Sequence, residues 1–163
     1  MERIGVIGMA TDFRPALPPT NCTELWGFPD DEWWPHFDRL FEVHQPPFGR
    51  HDEAWYQLRL AEAAQDAPIV TSDNYPLDEV IKIGGDNFQS SLDYMLGMAI
   101  YLDPAAISLW GVSDHEKYHY QRESMARWVG VAQGRGITVD VECDLLKYRP
   151  HRPEFTKRYG FAG

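Results

Sequence analysis

His44 closes an apolar, strand-like run from Arg39 and is followed by Gln45 and then Pro46 and Pro47. A neutral imidazole at such a strand end can hydrogen-bond a hydroxyl or move a proton near neutral pH. Asp114 stands just past a second apolar run, Ala106 to Val112, with His115 and Glu116 beside it. Those side chains add a carboxylate and an imidazole, or else form the solvated entry to the next helix. Gln89, Ser90 and Ser91 open a helical pattern, and a helix start carrying hydroxyls and backbone N–H groups suits an anion. Acid/base chemistry beside an anion site is therefore the reading, with His44 and Asp114 as the catalytic candidates.

Positioning these groups requires a wound α/β sheet. Beyond Ser90, the apolar residues Leu92, Met95, Leu96 and Ala99 recur at i, i+3, i+4 and i+7, the spacing of a buried helical stripe. Ser90 suits the N-cap, with Asp93 as the acidic partner of a capping box, and Asp103-Pro104 stops the helix. The run that follows is short and apolar and ends at Gly111, as a buried parallel strand does. Further strands are predicted at Ile4 to Ile7, Thr23 to Gly27, Arg39 to His44, Pro68 to Ser72 and Ile137 to Val141. Glu53 to Ala64 reads as a helix with Trp55, Leu58 and Ala61 on its apolar side. Asp78 to Ile83 reads as a short helix or strand, and Leu145 to Tyr148 as a short terminal element. Tyr120 to Ala132 repeats the stripe through Met125, Trp128, Val129 and Ala132, ending at Gly134 and Gly136. The expected architecture is one Rossmann-like three-layer α/β domain over residues 1–163, its mainly parallel sheet having about six strands.

In an open parallel sheet, ligands bind beyond the carboxyl ends of the strands, where the strand order reverses. The residues there are Gly8, Met9, Thr11, Trp26, Gly27, His44, Ser72 and Gly111, joined by Gln89, Ser90 and Ser91 from the start of the central helix. Apart from the catalytic candidate His44, they are the expected ligand contacts, for a nucleotide by the resemblance given below. Gly8, Gly27 and Gly111 either turn the chain or let a ligand approach the backbone. Ser90 either caps its helix or also touches the ligand. Trp26 and Trp110 sit near strand ends, where one indole could stack on a base. No Walker, G-x-G-x-x-G, G-x-S-x-G or H-E-x-x-H pattern occurs, and no local spacing holds two metal ligands together. No cofactor or metal is assigned.

Composition narrows the partners. A net charge of −10 argues against a generic DNA, RNA or anionic-membrane binder, because those partners require phosphate neutralisation. Lys147, Arg149, Arg152, Lys157 and Arg158 make residues 145–163 a basic tail, lying on an acidic body or oligomer neighbour or facing a phosphate. Two cysteines without metal spacing read as free thiols in a reducing cytosol. No stretch approaches the roughly 20 apolar residues of a membrane helix, and no leader pattern precedes the first strand. A cytoplasmic protein, in the setting of an infected host cell by the resemblance below, is the expectation.

The order of pieces resembles a group of small, mostly phage-encoded Rossmann-like proteins whose reaction is mostly unassigned. The resemblance rests on Glu24 to Gly27, Phe37 to His44, Phe88 to Leu96, Leu109 to Asp114, Glu116 to Arg122 and Val129 to Ile137. More remotely, the chain is similar to sialyltransferase-like glycosyltransferases, including the motility-accessory type. There a serine-rich helix start and a strand ending in Gly-Val-Asp line a nucleotide-sugar pocket. Gln89, Ser90 and Ser91 correspond here, as do Gly111, Val112, Ser113 and Asp114, with Ser113 inserted. A third likeness is to nucleoside deoxyribosyltransferases, for which Glu123 would have to replace the expected nucleophilic acid at 126–128. These resemblances imply a nucleotide- or nucleotide-sugar-binding enzyme of glycosyl-transfer type acting on a small molecule or free nucleotide. The alternatives are a non-catalytic module that captures a nucleotide or a protein, and an assembly protein with homo-oligomer contacts through Trp33, Trp34, Pro35 and the tail.

Overall fold

The computed structural model describes residues 2–10, 14–48, 52–112 and 119–141. Six strands form one sheet: β1 (Arg3–Ile7), β2 (Glu24–Gly27), β3 (Arg39–Glu42), β4 (Ile69–Thr71), β5 (Ala106–Trp110) and β6 (Thr138–Val141). Their order is β4-β3-β2-β1-β5-β6, and every pairing is parallel. The direction of winding reverses once, between β1 and β5. Helices α1 (Glu53–Asp66), α2 (Leu77–Gly84), α3 (Ser91–Tyr101) and α4 (His119–Gly134) complete the Rossmann-like domain, with a 3-10 turn at Trp34–His36.

Alternation along the strands builds the two faces. Ile4, Val6, Trp26, Phe41, Val70, Ile107 and Leu109 face one core with α2, α3 and α4. Ile7, Leu25, Leu40, Ile69 and Trp110 face the other, with Ala63 and Ala67 of α1 and its C-terminal exit and Trp33 and Phe37 around the 3-10 turn. The expected helix starts and apolar stripes of α3 and α4 are present. Met95, Leu96 and Ala99 are buried in α3, as are Met125, Trp128, Val129 and Ala132 in α4. The segment after Pro76 is helical rather than extended.

The stripe expected in α1 is corrected. Trp55 and Leu58 are 48% and 67% exposed, while Tyr56 and Ala63 are the buried residues of the helix. The reason is polar as well as apolar: the Tyr56 hydroxyl donates to the carboxylate of Glu42, which draws that side of α1 onto β3. Among the described residues, no helix is long and apolar enough to cross a membrane. The expected terminal element at 145–148 and the basic tail lie outside the described residues.

Candidate active site at the strand reversal

A cleft of about 470 Å³ opens where the winding reverses. Met9 and Ala10 follow β1, Gly111 and Val112 follow β5, and His44 follows β3. Gln89, Ser90, Ser91 and Leu92 come from the start of α3, Gln121 and Met125 from α4, and Phe28 from the loop after β2.

Backbone contact between glycines makes the floor. Gly8 N–H donates to the Trp110 carbonyl at 2.8 Å, and Ala10 N–H donates to the Gly111 carbonyl at 3.0 Å. A Cβ on Gly8 would lie 2.3 Å from Gly111 O, so the two strand ends touch only because neither residue has a side chain. Gly111 also sits at φ +69°, the left-handed region that favours glycine.

The α3 wall is shaped by its cap. Ser90 is the N-cap: its Oγ accepts from Asp93 N–H at 3.3 Å, and Asp93 Oδ2 accepts from Ser90 N–H at 2.8 Å. Phe88 stacks on Tyr94 with ring centroids 4.3 Å apart and leans on Trp128, which fixes the approach of the chain to the cap. Ser90 is thus occupied as a cap. Ser91, one residue on, lines the cleft as well.

Titratable groups come from the end of β3. Glu42 is 4% exposed, and its Oε1 lies 2.5 Å from His44 Nδ1 and accepts from His44 N–H at 3.0 Å. Tyr56 donates its hydroxyl to Oε2. The carboxylate holds the imidazole by one nitrogen and is itself held from α1, so ring orientation and tautomer are set. With Nδ1 committed to Glu42, Nε2 is the nitrogen left to meet a ligand, and the His44 side chain is 58% exposed. An oriented imidazole and the capped start of α3 thus share one cleft.

Asp93 is fully buried, and desolvation raises its pKa above the ordinary carboxylate range against lowering by bonds from Gln89, Ser124 and Ser90. The folded state therefore holds the proton more tightly than the unfolded chain does. Stability is fully present below the unfolded value and declines as pH rises through the raised folded one. Asp93→Asn should flatten this part of the profile, so the difference in unfolding free energy between variant and parent shifts toward the variant as pH rises above the ordinary carboxylate range. Urea unfolding over that rise in pH measures it, and parallel profiles would refute the assignment.

The structure brings His44, Met9, Gln89, Ser90, Ser91 and Gly111 to the cleft, with Gly8 immediately beneath through its contact with Gly111. Three expected contacts do not line it, and two expected site residues lie outside the described residues. Trp26 is fully buried against Phe41 with its indole N–H donating to Glu24 at 2.6 Å, so it is a core residue. Gly27 makes room for the Phe37 ring, whose Cε2 would lie 2.1 Å from an added Cβ. Ser72 accepts from Gln45 Nε2 on the β4 side of the rim. Thr11 and Asp114 lie outside the described residues, as does His115. Trp110 belongs to the α1-side core.

Sequence reasoning missed Glu42, Phe28, Gln121 and Met125. Glu42 had a legible signal, an acid two residues before a strand-end histidine, because period-2 alternation puts both on one side. Phe28, two residues after Trp26, is the aromatic ring at the cleft. Among the described residues, no group of three His, Cys, Asp or Glu side chains could hold a metal ion. A scan against protein-family models finds no match for the chain, and searches of curated proteins and of solved structures find none either.

Proposed function

We propose that the protein is a nucleotide- or nucleotide-sugar-binding enzyme of glycosyl-transfer type, acting on a small molecule or a free nucleotide. The observation that carries this reading is the Glu42–His44 pair on the same cleft as Ser90 and Ser91. His44 Nε2 takes the proton from an acceptor hydroxyl, and the oxygen forms a bond to the anomeric carbon. The bond from that carbon to the leaving phosphate oxygen breaks, and its electron pair departs with the phosphate. The start of α3 stabilises the departing anion through N–H groups and the helix dipole. Phe28, Met9, Leu92 and Met125 supply apolar surface for a planar base or the sugar's C–H face, and Gln89 and Gln121 supply amides for its polar edge.

Thermal shift with a panel of nucleoside mono- and diphosphates and nucleotide sugars at millimolar concentration tests the reading. A ligand at 100 times its Kd stabilises by about 2.7 kcal/mol, enough to raise the melting temperature by several degrees. Absence of any shift across the panel would remove the proposal. Binding followed by recovery of the unaltered ligand with every acceptor tried would leave a capture module instead.

A further inference from the structure

Asp93 is held in the cleft wall at a cost that helix capping does not account for. In a capping box the third residue of the helix only has to reach back to the N-cap backbone N–H. Asp93 has no exposed surface, and among the described residues its Oδ1 has no hydrogen-bond partner. Its Oδ2 accepts from Gln89 N–H at 2.7 Å, Ser90 N–H at 2.8 Å and Ser90 Oγ at 3.2 Å. The same oxygen also accepts from Ser124 Oγ of α4 at 2.8 Å.

This last bond leaves the helix. Ser124 stands beside Met125 and three residues after Gln121, and its hydroxyl also lies 3.0 Å from the Gln121 carbonyl. Gln89 and Ser90 line the cleft from the start of α3, and Gln121 and Met125 line it from α4. One carboxyl oxygen therefore joins the two helices behind the surface that a ligand would touch. A buried carboxyl with an unpartnered oxygen lowers stability, so its use lies in the geometry it imposes.

We propose that Asp93 is a positioning residue for the cleft: by accepting from Gln89 and Ser90 on one side and Ser124 of α4 on the other, it sets the spacing between the start of α3 and the first turns of α4, and with it the fit of an anion at Ser91. The inference rests on the anion-site reading given above, and its test separates the two. Ser124→Ala removes the bond between helices and leaves the Ser90–Asp93 capping box intact. Amide hydrogen exchange of the ligand-free protein, followed by mass spectrometry, reports the tie, and calorimetry with inorganic pyrophosphate reports the fit.

The expected result is faster exchange in two segments at once, around Gln89 to Ser91 and around Gln121 to Met125. Pyrophosphate affinity should fall roughly tenfold, the size of one lost hydrogen bond to a carboxyl. A role confined to α4 packing would quicken exchange in α4 alone, and that outcome overturns the proposal. So does pyrophosphate affinity that stays within about twofold of the parent while both segments loosen. If the parent protein binds no pyrophosphate, the anion reading of the cleft falls, and the exchange pattern alone decides whether Asp93 ties the two helices.

Discussion

His44→Ala is expected to lower turnover by about 10²- to 10⁴-fold, the range that a positioned acid/base supplies. The melting temperature should change by no more than a few degrees, because the ring is more exposed than buried. Glu42→Gln separates orientation from proton transfer. It keeps the shape that meets the Tyr56 hydroxyl but removes the charge that fixes the imidazole tautomer, so turnover should fall while His44 remains in place. Steady-state rates on the first substrate that the nucleotide panel identifies, with melting curves on the same samples, check both. A large loss of melting temperature with unaltered rate for His44→Ala would make the histidine a structural cap on β3. Glu42 is the more dangerous site to truncate. Glu42→Ala removes the carboxylate to which the Tyr56 hydroxyl and the His44 N–H donate, which costs about 1.5–3 kcal/mol for each such charged hydrogen bond lost.

Gly111→Ala carries the largest expected effect on stability. An added Cβ would lie 2.1 Å from the Gly8 carbonyl oxygen and 2.7 Å from its carbon, both backbone atoms that no rotamer change can move. The left-handed backbone at φ +69° adds about 1–2 kcal/mol for any residue bearing a Cβ. Overpacking contributes about 1–3 kcal/mol more, for an expected total of about 2–5 kcal/mol. Urea midpoints measure it, with Gly130→Ala as the control. An added Cβ at Gly130 meets nothing within 4 Å in the middle of α4, so that change should stabilise by about 0.5–1 kcal/mol. Equal midpoints for Gly111→Ala and the parent would mean that β1 and β5 can separate at no cost. The strain would also lift the floor of the cleft, so ligand shifts should disappear in this variant even at temperatures where it stays folded.

Local rules made much of this arrangement readable in advance. Periodicity separates β5 from α3 and α4, and the Ser90–Asp93 pair announces its helix start through capping chemistry that needs no tertiary contact. The position of the cleft follows from a general property of parallel sheets, which is why His44 and Ser91 could be placed on one rim from strand ends alone. What stayed hidden depends on distant partners. Tyr56, not Trp55, turns inward because Glu42 offers it an acceptor fourteen residues back in the chain. Trp26 reads as a stacking platform by residue type, but its side of β2 faces Phe41 beneath α3, and Phe28 takes the cleft. The link from Asp93 to Ser124 spans thirty-one residues, and nothing in either segment signals it.

The central position of β1 has a consequence for how the chain is made. Its register with β2 is available once residue 26 has been synthesised, but its other neighbour is β5, paired from Arg3 with Ala106 to Ile7 with Trp110. During translation, one flank of the innermost strand stays unpaired until β5 has emerged, and the half-built sheet presents an open, apolar ribbon edge to whatever is nearby. Nascent chains stalled before Trp110 should therefore recruit holdase chaperones or self-associate, and those stalled far enough beyond it for β5 to have left the ribosome should not.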